Sequence, residues 1–148
     1  MNAAIPTHEW HFQYPRHPRS VGRARSALLA EVHAWRVPDD ITETAVLLLS
    51  ELMTNACQHA RTPPGRDIAA RALLRDHTLR VEVSDAGNSL PSPRRTPASP
   101  DDERGRGLAL VTALADAWDS HPRAHGIGKT VWFELKLRPT PTPAPAPA

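Results

Sequence analysis

The longest regular pattern of apolar and polar positions in the chain runs from Asp40 to His59. Its apolar residues recur at offsets of three and four, which places them on one stripe of an α-helix: Ala45, Leu48, Leu49, Leu52, Met53 and Ala56. Asp40 and Glu43 have the spacing of a capping box, so we expect the helix to begin there. The run Pro63-Pro64-Gly65 predicts its end.

The polar side of this helix carries Glu51, Asn55 and Gln58, and positions 41 to 60 contain no Lys or Arg. Residues three and four apart are neighbours on a helix surface. A carboxylate one turn before a carboxamide can orient a water or a hydroxyl while the amide oxygen binds a hydrated Mg²⁺. Taken alone, these positions also fit the solvent face of an ordinary amphipathic helix.

Alternating or periodic apolar residues predict five strands and a further helix. The strands are expected at His8–Tyr14, Asp67–Leu74, Thr78–Ser84, Trp118–His121 and Lys129–Leu137, and the helix at Ser20–Trp35 with Ser20 as its cap. The first strand is expected at a sheet edge. In the last strand Val131, Phe133, Leu135 and Leu137 share one face, and Trp132 lies on the other.

Asp85 follows the strictly alternating third strand, and Gly87 lies two residues later. A strand end followed by glycine is a common place for a ligand-binding side chain, although Asp-x-Gly is also an ordinary turn. The segment from Leu90 to Glu103 contains four prolines, which predicts a long loop of the kind that forms a lid or a binding segment.

A pair of glycines opens the apolar run that follows this loop, in the sequence Arg104-Gly105-Arg106-Gly107-Leu108. Glycine lets the backbone approach a ligand, and the first N–H groups of a helix attract anions. The two arginines add donors suited to phosphate. The spacing matches neither a Rossmann fingerprint nor a Walker loop.

Composition narrows the possible classes of protein. The chain has 148 residues, which suits one domain, and a net charge of +2 with dispersed arginines, which gives no support for nucleic-acid binding. No apolar run could span a bilayer and no signal peptide is evident, so a cytoplasmic protein without a membrane segment is expected. The single Cys57 is expected to be a small core residue, and residues 139–148 form a Pro-rich tail expected to be disordered.

The order of these motifs resembles the ATP site of the Bergerat-fold (GHKL) family, which includes gyrase B, histidine kinases and MutL. The residues within the motifs are most similar to those of the anti-sigma-factor serine kinase branch, the RsbW and SpoIIAB-like proteins. Three segments carry the resemblance: 49–60, 104–111 and 128–135. It covers residues 16–138, after an N-terminal lead-in at 1–15. It implies an α/β two-layer sandwich in which helices cover one face of a mixed, mostly antiparallel sheet.

The resemblance also implies a role for each matching residue. Asn55 would hold the Mg²⁺ that bridges the ATP phosphates, and Glu51 would act as the general base or orient the attacking hydroxyl. Asp85 would accept a hydrogen bond from the adenine amino group, with Gly87 giving the base room and Thr130 supporting the same water network. The remaining implied ATP-binding residues belong to the glycine segment: Arg104, Gly105, Arg106, Gly107 and Leu108.

Two features depart from the family pattern. The common Asp-x-Gly-x-Gly is here Asp85-Ala86-Gly87-Asn88-Ser89, without the second glycine, and the lid from Leu90 to Asp102 is unusually rich in proline. Both bear on nucleotide affinity more than on the fold.

The resemblance favours a serine/threonine kinase that phosphorylates an anti-anti-sigma (STAS-type) partner and can sequester a sigma factor. A non-catalytic module that binds ATP or only its partner is the alternative. A sensor histidine kinase is weakened by the missing dimerisation helices and phosphorylatable His segment, and a gyrase-type ATPase would need a further domain. A homodimer is common in the resembled branch.

Overall fold

A computed structural model describes residues 7–59, 67–85, 103–123 and 128–138, which contain five strands and three helices. In chain order they are β1 His8–Tyr14, α1 Pro18–Ala34, α2 Asp39–His59, β2 Ile68–Arg75, β3 Thr78–Ser84, α3 Glu103–Leu114, β4 Ala117–Pro122 and β5 Lys129–Lys136. The expected helix stop at 63–65, Gly87, the loop at 90–102 and the tail at 139–148 lie outside the described residues. No helix in the described ranges is long and apolar enough to cross a membrane.

The five strands form one sheet in the order β1-β2-β3-β5-β4, so β1 lies at an edge as expected. Each of the four described strand pairs is antiparallel. Helices α1 and α2 pack together, and α2 lies against β2, β3 and β5. The predicted two-layer α/β sandwich is therefore confirmed.

The hydrophobic core lies between the helices and one face of the sheet. Alternate residues of the central strands point into it, including Val81, Val83 and Phe133. The stripe of α2 predicted from the sequence is buried against them, with Leu48, Leu49 and Met53 fully enclosed. The apolar stripe of α2 and the inward-facing residues of the strands thus bury each other. This contact fixes both the register of the sheet and the rotation of α2.

The other face of the sheet carries a row of paired charges. Arg71 lies between Glu9 at 2.9 Å and Glu82 at 3.2 Å, and Arg80 lies 3.5 Å from both Glu82 and Glu134. The guanidinium of Arg80 also stacks 3.9 Å from the centre of the Trp132 ring. This alternation of sign keeps a partly apolar sheet face polar toward water, as is usual for antiparallel sheets.

The first helix starts earlier than the sequence predicts. Helix α1 begins at Pro18, and its cap is His17, whose Nδ1 accepts a hydrogen bond from the Arg19 N–H at 3.0 Å. Ser20 is therefore not the cap. It is buried inside the first turn, and its hydroxyl donates to the Pro15 carbonyl at 2.6 Å. Proline is favoured at the first helical position because its missing N–H would have no partner there.

The start of α2 is also shifted, by one residue. The helix begins at Asp39, so Asp40 lies in its first turn rather than at the cap position of a capping box. Both carboxylates still favour the helix because the N-terminal end of its dipole is positive. The Thr42 hydroxyl donates back to the Val37 carbonyl at 3.3 Å and closes this end.

Two tight turns use residues with positive φ. Arg36 has φ 62° after α1, where the Arg36 N–H bonds the His33 carbonyl and the Val37 N–H bonds the Val32 carbonyl, both at 3.0 Å. This is the Schellman pattern of helix ends. Between β2 and β3, Asp76 and His77 have φ 51° and 59°, the sign that a two-residue type I′ hairpin turn requires.

The packing of α2 on the sheet predicts a large difference between two leucines. Leu48→Ala should lower the free energy of unfolding by about 2–5 kcal/mol, because it leaves a cavity at a site with no exposed surface. Leu110→Ala, at a position that is 37% exposed on α3, should cost about 1 kcal/mol or less. Urea denaturation followed by circular dichroism measures both. Equal losses would contradict this account of the core.

Candidate functional site

Glu51 and Asn55 lie one turn apart on α2, and both side chains are half-buried. Within the described part of the chain, neither the Glu51 carboxylate nor the Asn55 carboxamide has a hydrogen-bond partner. Half-buried polar groups normally have partners. Their oxygen atoms are therefore available to a ligand.

The two residues face the side of α2 on which α3 packs. Thr44 lies seven residues before Glu51, on the same side of the helix, and it lines a cavity together with Leu114 at the end of α3. Helix α3 packs on α2, and its last turn lies beside Thr44 on this side of the helix.

The predicted anion-binding residues lie in the first part of α3. The helix begins at Glu103, so Gly105 and Gly107 belong to its first two turns, and Leu108 is half-buried. The side chains of 103–107 lie outside the described residues. The first four N–H groups of a helix have no partner within it, and the dipole makes this end positive. These are the features of a helix end that attracts anions, and the anion site expected here stays a prediction.

Asp85 follows the last residue of β3, in the alternation that carries the core-facing Val81 and Val83, and it is 6% exposed. Its backbone N–H donates to the Lys129 carbonyl at 3.0 Å, and its Oδ1 accepts from the Lys129 N–H at 3.4 Å. Nη1 of Arg123 donates to the Asp85 carbonyl at 3.1 Å. The backbone of Asp85 is thus held on both sides, and its carboxyl group accepts a further hydrogen bond, at the end of the sheet.

The far end of α2 lies at this same end of the sheet. The Cys57 thiol, half-buried two residues after Asn55, donates to the carbonyl of His17 at 3.6 Å. His17 lies shortly after Tyr14, the last residue of β1. Tyr14 pairs with Ile68 at the start of β2, next to the end of β3 that Asp85 follows. Burial raises the pKa of the Cys57 thiol, which the hydrogen bond to His17 and the charge of Arg16 oppose. This fits a small packing residue rather than a nucleophile.

Thr130 follows Lys129, the residue of β5 that hydrogen-bonds Asp85. In the register of β3 and β5 it pairs with Ser84, and the two hydroxyl groups lie 2.8 Å apart on the charged face of the sheet, away from the helices. Its expected role in a water network with Asp85 stays a prediction. Side chains alternate along a strand, so the residue of β5 that shares the face of Asp85 is Lys129.

Sequence reasoning therefore missed two neighbours of Asp85. Lys129 could have been found, because it has the same parity along β5 as Phe133 and Leu135, which were expected to share a face. No pattern in the sequence predicts the contact between Arg123 and Asp85. Arg123 reaches the Asp85 carbonyl across 38 residues of sequence, and only the paired strands bring it there.

The donor set fits a magnesium nucleotide better than a metal held by protein alone. Among the described residues, no group of three or more His, Cys, Asp and Glu side chains could hold a metal ion. Mg²⁺ usually takes one or two protein oxygens and completes its shell with waters and substrate phosphates. The free oxygens of Asn55 and Glu51 match that requirement.

Solved structures with a similar fold include two bacterial proteins. The RsbU and RsbW domains of Rv1364c from Mycobacterium tuberculosis align with a TM-score of 0.68 and 22% identity, over 90% of this chain and 34% of that one. The blue-light activated histidine kinase EL346 of Erythrobacter litoralis aligns with a TM-score of 0.52 and 27% identity, over 68% and 32%. A structure of its histidine kinase domain gives 0.52 and 23%, over 83% and 61%. The chain thus spans less than two thirds of each.

No curated protein sequence matches the chain significantly. The family model of the histidine kinase-like ATPase domain matches residues 14–135, which include every described helix and all of the sheet except β1 before Tyr14 and the last residue of β5. An ATPase domain of this kind implies ATP binding. The chain belongs to the histidine kinase-like ATPase domain family.

Proposed function

We propose that the protein is an ATP-binding serine/threonine kinase of the anti-sigma-factor type. It would phosphorylate an anti-anti-sigma partner of the STAS type, bind a sigma factor in turn, and so regulate transcription in the cytoplasm by partner switching. The observation that carries this proposal is the half-buried pair Glu51 and Asn55, whose oxygens have no hydrogen-bond partner in the described residues. The fold similarity to a protein with an RsbW domain supports it.

Different residues would bind the adenine end and the phosphate end of ATP. The Asp85 carboxylate would receive the adenine amino group, with Gly87 beside the base. The start of α3, residues Arg104, Gly105, Arg106, Gly107 and Leu108, would hold the phosphates through the free N–H groups of its first turn and through the two arginines. Asn55 would hold Mg²⁺, which supplies positive charge to the phosphates when bound.

Glu51 would act on the partner rather than on ATP. A carboxylate next to the phosphates can accept the proton of a Ser or Thr hydroxyl as its oxygen bonds to the γ-phosphorus and ADP leaves. Glu51 is half-buried, and positions 41 to 60 hold no Lys or Arg that could pair with it along the helix. It therefore remains available as a base.

A non-catalytic regulator that works by sequestration is the second candidate. The observation that favours it is Ser89 in place of the second glycine of the family's Asp-x-Gly-x-Gly. A side chain at a position that glycine usually occupies restricts the backbone next to the base. Such a protein would bind its partner with ATP bound weakly or not at all.

Asn55→Ala should weaken Mg²⁺-dependent ATP binding by about tenfold or more. The loss of one metal contact needs to cost only about 1.4 kcal/mol of binding free energy to lower the affinity tenfold. Isothermal titration calorimetry measures the affinity. Gln58→Ala, an exposed position on the next turn of the same helix, is the matched control and should bind like the wild type. A wild type that fails to bind ATP would favour the sequestering module.

Two isosteric substitutions test which face of the sheet contacts the adenine base of ATP. Asp85→Asn keeps an acceptor for the Lys129 N–H but loses the charge, and should weaken ATP binding by about 10–100-fold. Thr130→Val removes the hydroxyl contact with Ser84 and should lower the free energy of unfolding by about 1–2 kcal/mol, with ATP affinity within about threefold of the wild type. A large loss of affinity in the Thr130 variant alone would restore its expected role at the base.

Glu51→Gln separates the kinase from the sequestering module. The variant should keep ATP affinity and lose phosphoryl transfer to the partner by about 10²–10⁴-fold, the usual contribution of a general base. Transfer from radiolabelled ATP to a co-purified STAS-type protein is the readout. Unchanged transfer would remove Glu51 from the chemistry. Full sequestration by a protein that transfers no phosphate would instead select the second candidate.

A further inference from the structure

Arg123 follows the last residue of β4 and makes a contact with the end of β3. In the sheet order β5 separates these two strands, so β4 and β3 lie about 10 Å apart. The Arg123 side chain spans this distance, and its Nη1 donates to the Asp85 carbonyl at 3.1 Å. The Arg123 backbone N–H donates to the Gly128 carbonyl at 2.9 Å, which anchors the arginine beside the start of β5.

The backbone contacts of Asp85 decide where its carboxylate lies. The Asp85 N–H donates to the Lys129 carbonyl at 3.0 Å, and Arg123 holds the Asp85 carbonyl on the other side of the same Cα atom. Peptide groups are planar and rigid, so holding both of them restricts the Cα atom between them. The hydrogen bond that the carboxylate accepts from the Lys129 N–H is long, at 3.4 Å, and contributes less to its placement.

We propose that Arg123 is a positioning residue for nucleotide selection, which holds the Asp85 carboxylate where it distinguishes adenine from guanine. The inference rests on the ATP site proposed above. Adenine carries an amino group, which donates to a carboxylate, at the position where guanine carries the acceptor O6. A carboxylate in a fixed place accepts from the amino group and repels the oxygen, whereas a carboxylate that can move away loses both effects.

An arginine near a nucleotide site can also act by binding phosphate directly. The two roles differ in the ligands that a change of Arg123 affects. A phosphate-binding arginine contributes to the affinity of every triphosphate, whereas an arginine that acts through Asp85 contributes only to ligands that carry adenine. A set of ligands with and without the base therefore separates the two roles.

Arg123→Met removes the donor groups and keeps a long side chain. Isothermal titration calorimetry on the full chain with Mg²⁺ should show ATP binding weakened about three- to tenfold, the effect of losing one hydrogen bond. Affinities for GTP and for inorganic tripolyphosphate, which has no base, should stay unchanged, so the preference for ATP over GTP falls by the same factor. Arg123→Lys, which retains a cationic donor, should recover most of that preference.

A double variant tests whether Arg123 acts through Asp85. Asp85→Asn/Arg123→Met should bind ATP as weakly as Asp85→Asn alone, because the carboxylate that Arg123 positions is already absent. The matched control is Arg138→Met, which changes an exposed arginine beyond the opposite end of β5. This control should bind ATP, GTP and tripolyphosphate like the wild type.

Amide hydrogen exchange, followed by NMR without nucleotide, measures the positioning itself. In Arg123→Met the amides of Asp85 and Lys129 should exchange faster, because both donate hydrogen bonds at the point that Arg123 holds. The amide of Val81, in the middle of β3, should exchange at the wild-type rate and so show that the sheet is intact.

Equal losses for ATP, GTP and tripolyphosphate in Arg123→Met would overturn the proposal, and so would additive losses in the double variant or unchanged exchange at Asp85. A wild type that binds ATP and GTP equally well, or a preference for ATP that Arg123→Met leaves intact, would overturn it while the proposed ATP site stands. A wild type that binds no nucleotide would overturn both.

Discussion

The mutual burial of the α2 stripe and the central strands is the constraint on which the rest of this structure depends. Leu48, Leu49 and Met53 have no exposed surface, and neither does Phe133 opposite them. Burying a side chain of this size is worth about 1.5–3 kcal/mol, so these contacts together outweigh any polar interaction at the surface. They fix the rotation of α2, and with it the direction in which its polar flanks point. The candidate site lies on one of these flanks.

Much of this arrangement could be predicted because it depends on the regular spacing of apolar residues along the sequence. The 3.6-residue period located α2 to within one residue, and the two-residue period located the strands. The same alternation also assigns Thr130 to one face of the sheet. Once Phe133 and Leu135 are assigned to the core face, Thr130 must lie on the other face. A motif in a strand carries no information on the direction of its side chains unless its position in the alternation is counted.

Contacts between distant segments could not be predicted in this way. No local pattern indicates that Arg123 bonds the Asp85 carbonyl, or that the last turn of α3 lies beside Thr44. Helix starts were also misplaced, because capping depends on which backbone groups are left without partners. His17 caps α1 with a ring nitrogen, and Ser20, the better cap by residue type, is used for a tertiary hydrogen bond to Pro15.

The backbone of Asp85 is held on both sides, by Lys129 at its N–H and by Arg123 at its carbonyl. The chain that follows therefore starts from a fixed point, whatever its own sequence. Loops tolerate insertion and substitution far better than the elements that carry them. The segment after Asp85 can thus diverge in length and composition, and be exchanged for another, while the carboxylate keeps its place. In evolutionary terms, the position of the acid and the identity of the neighbouring segment are separable traits.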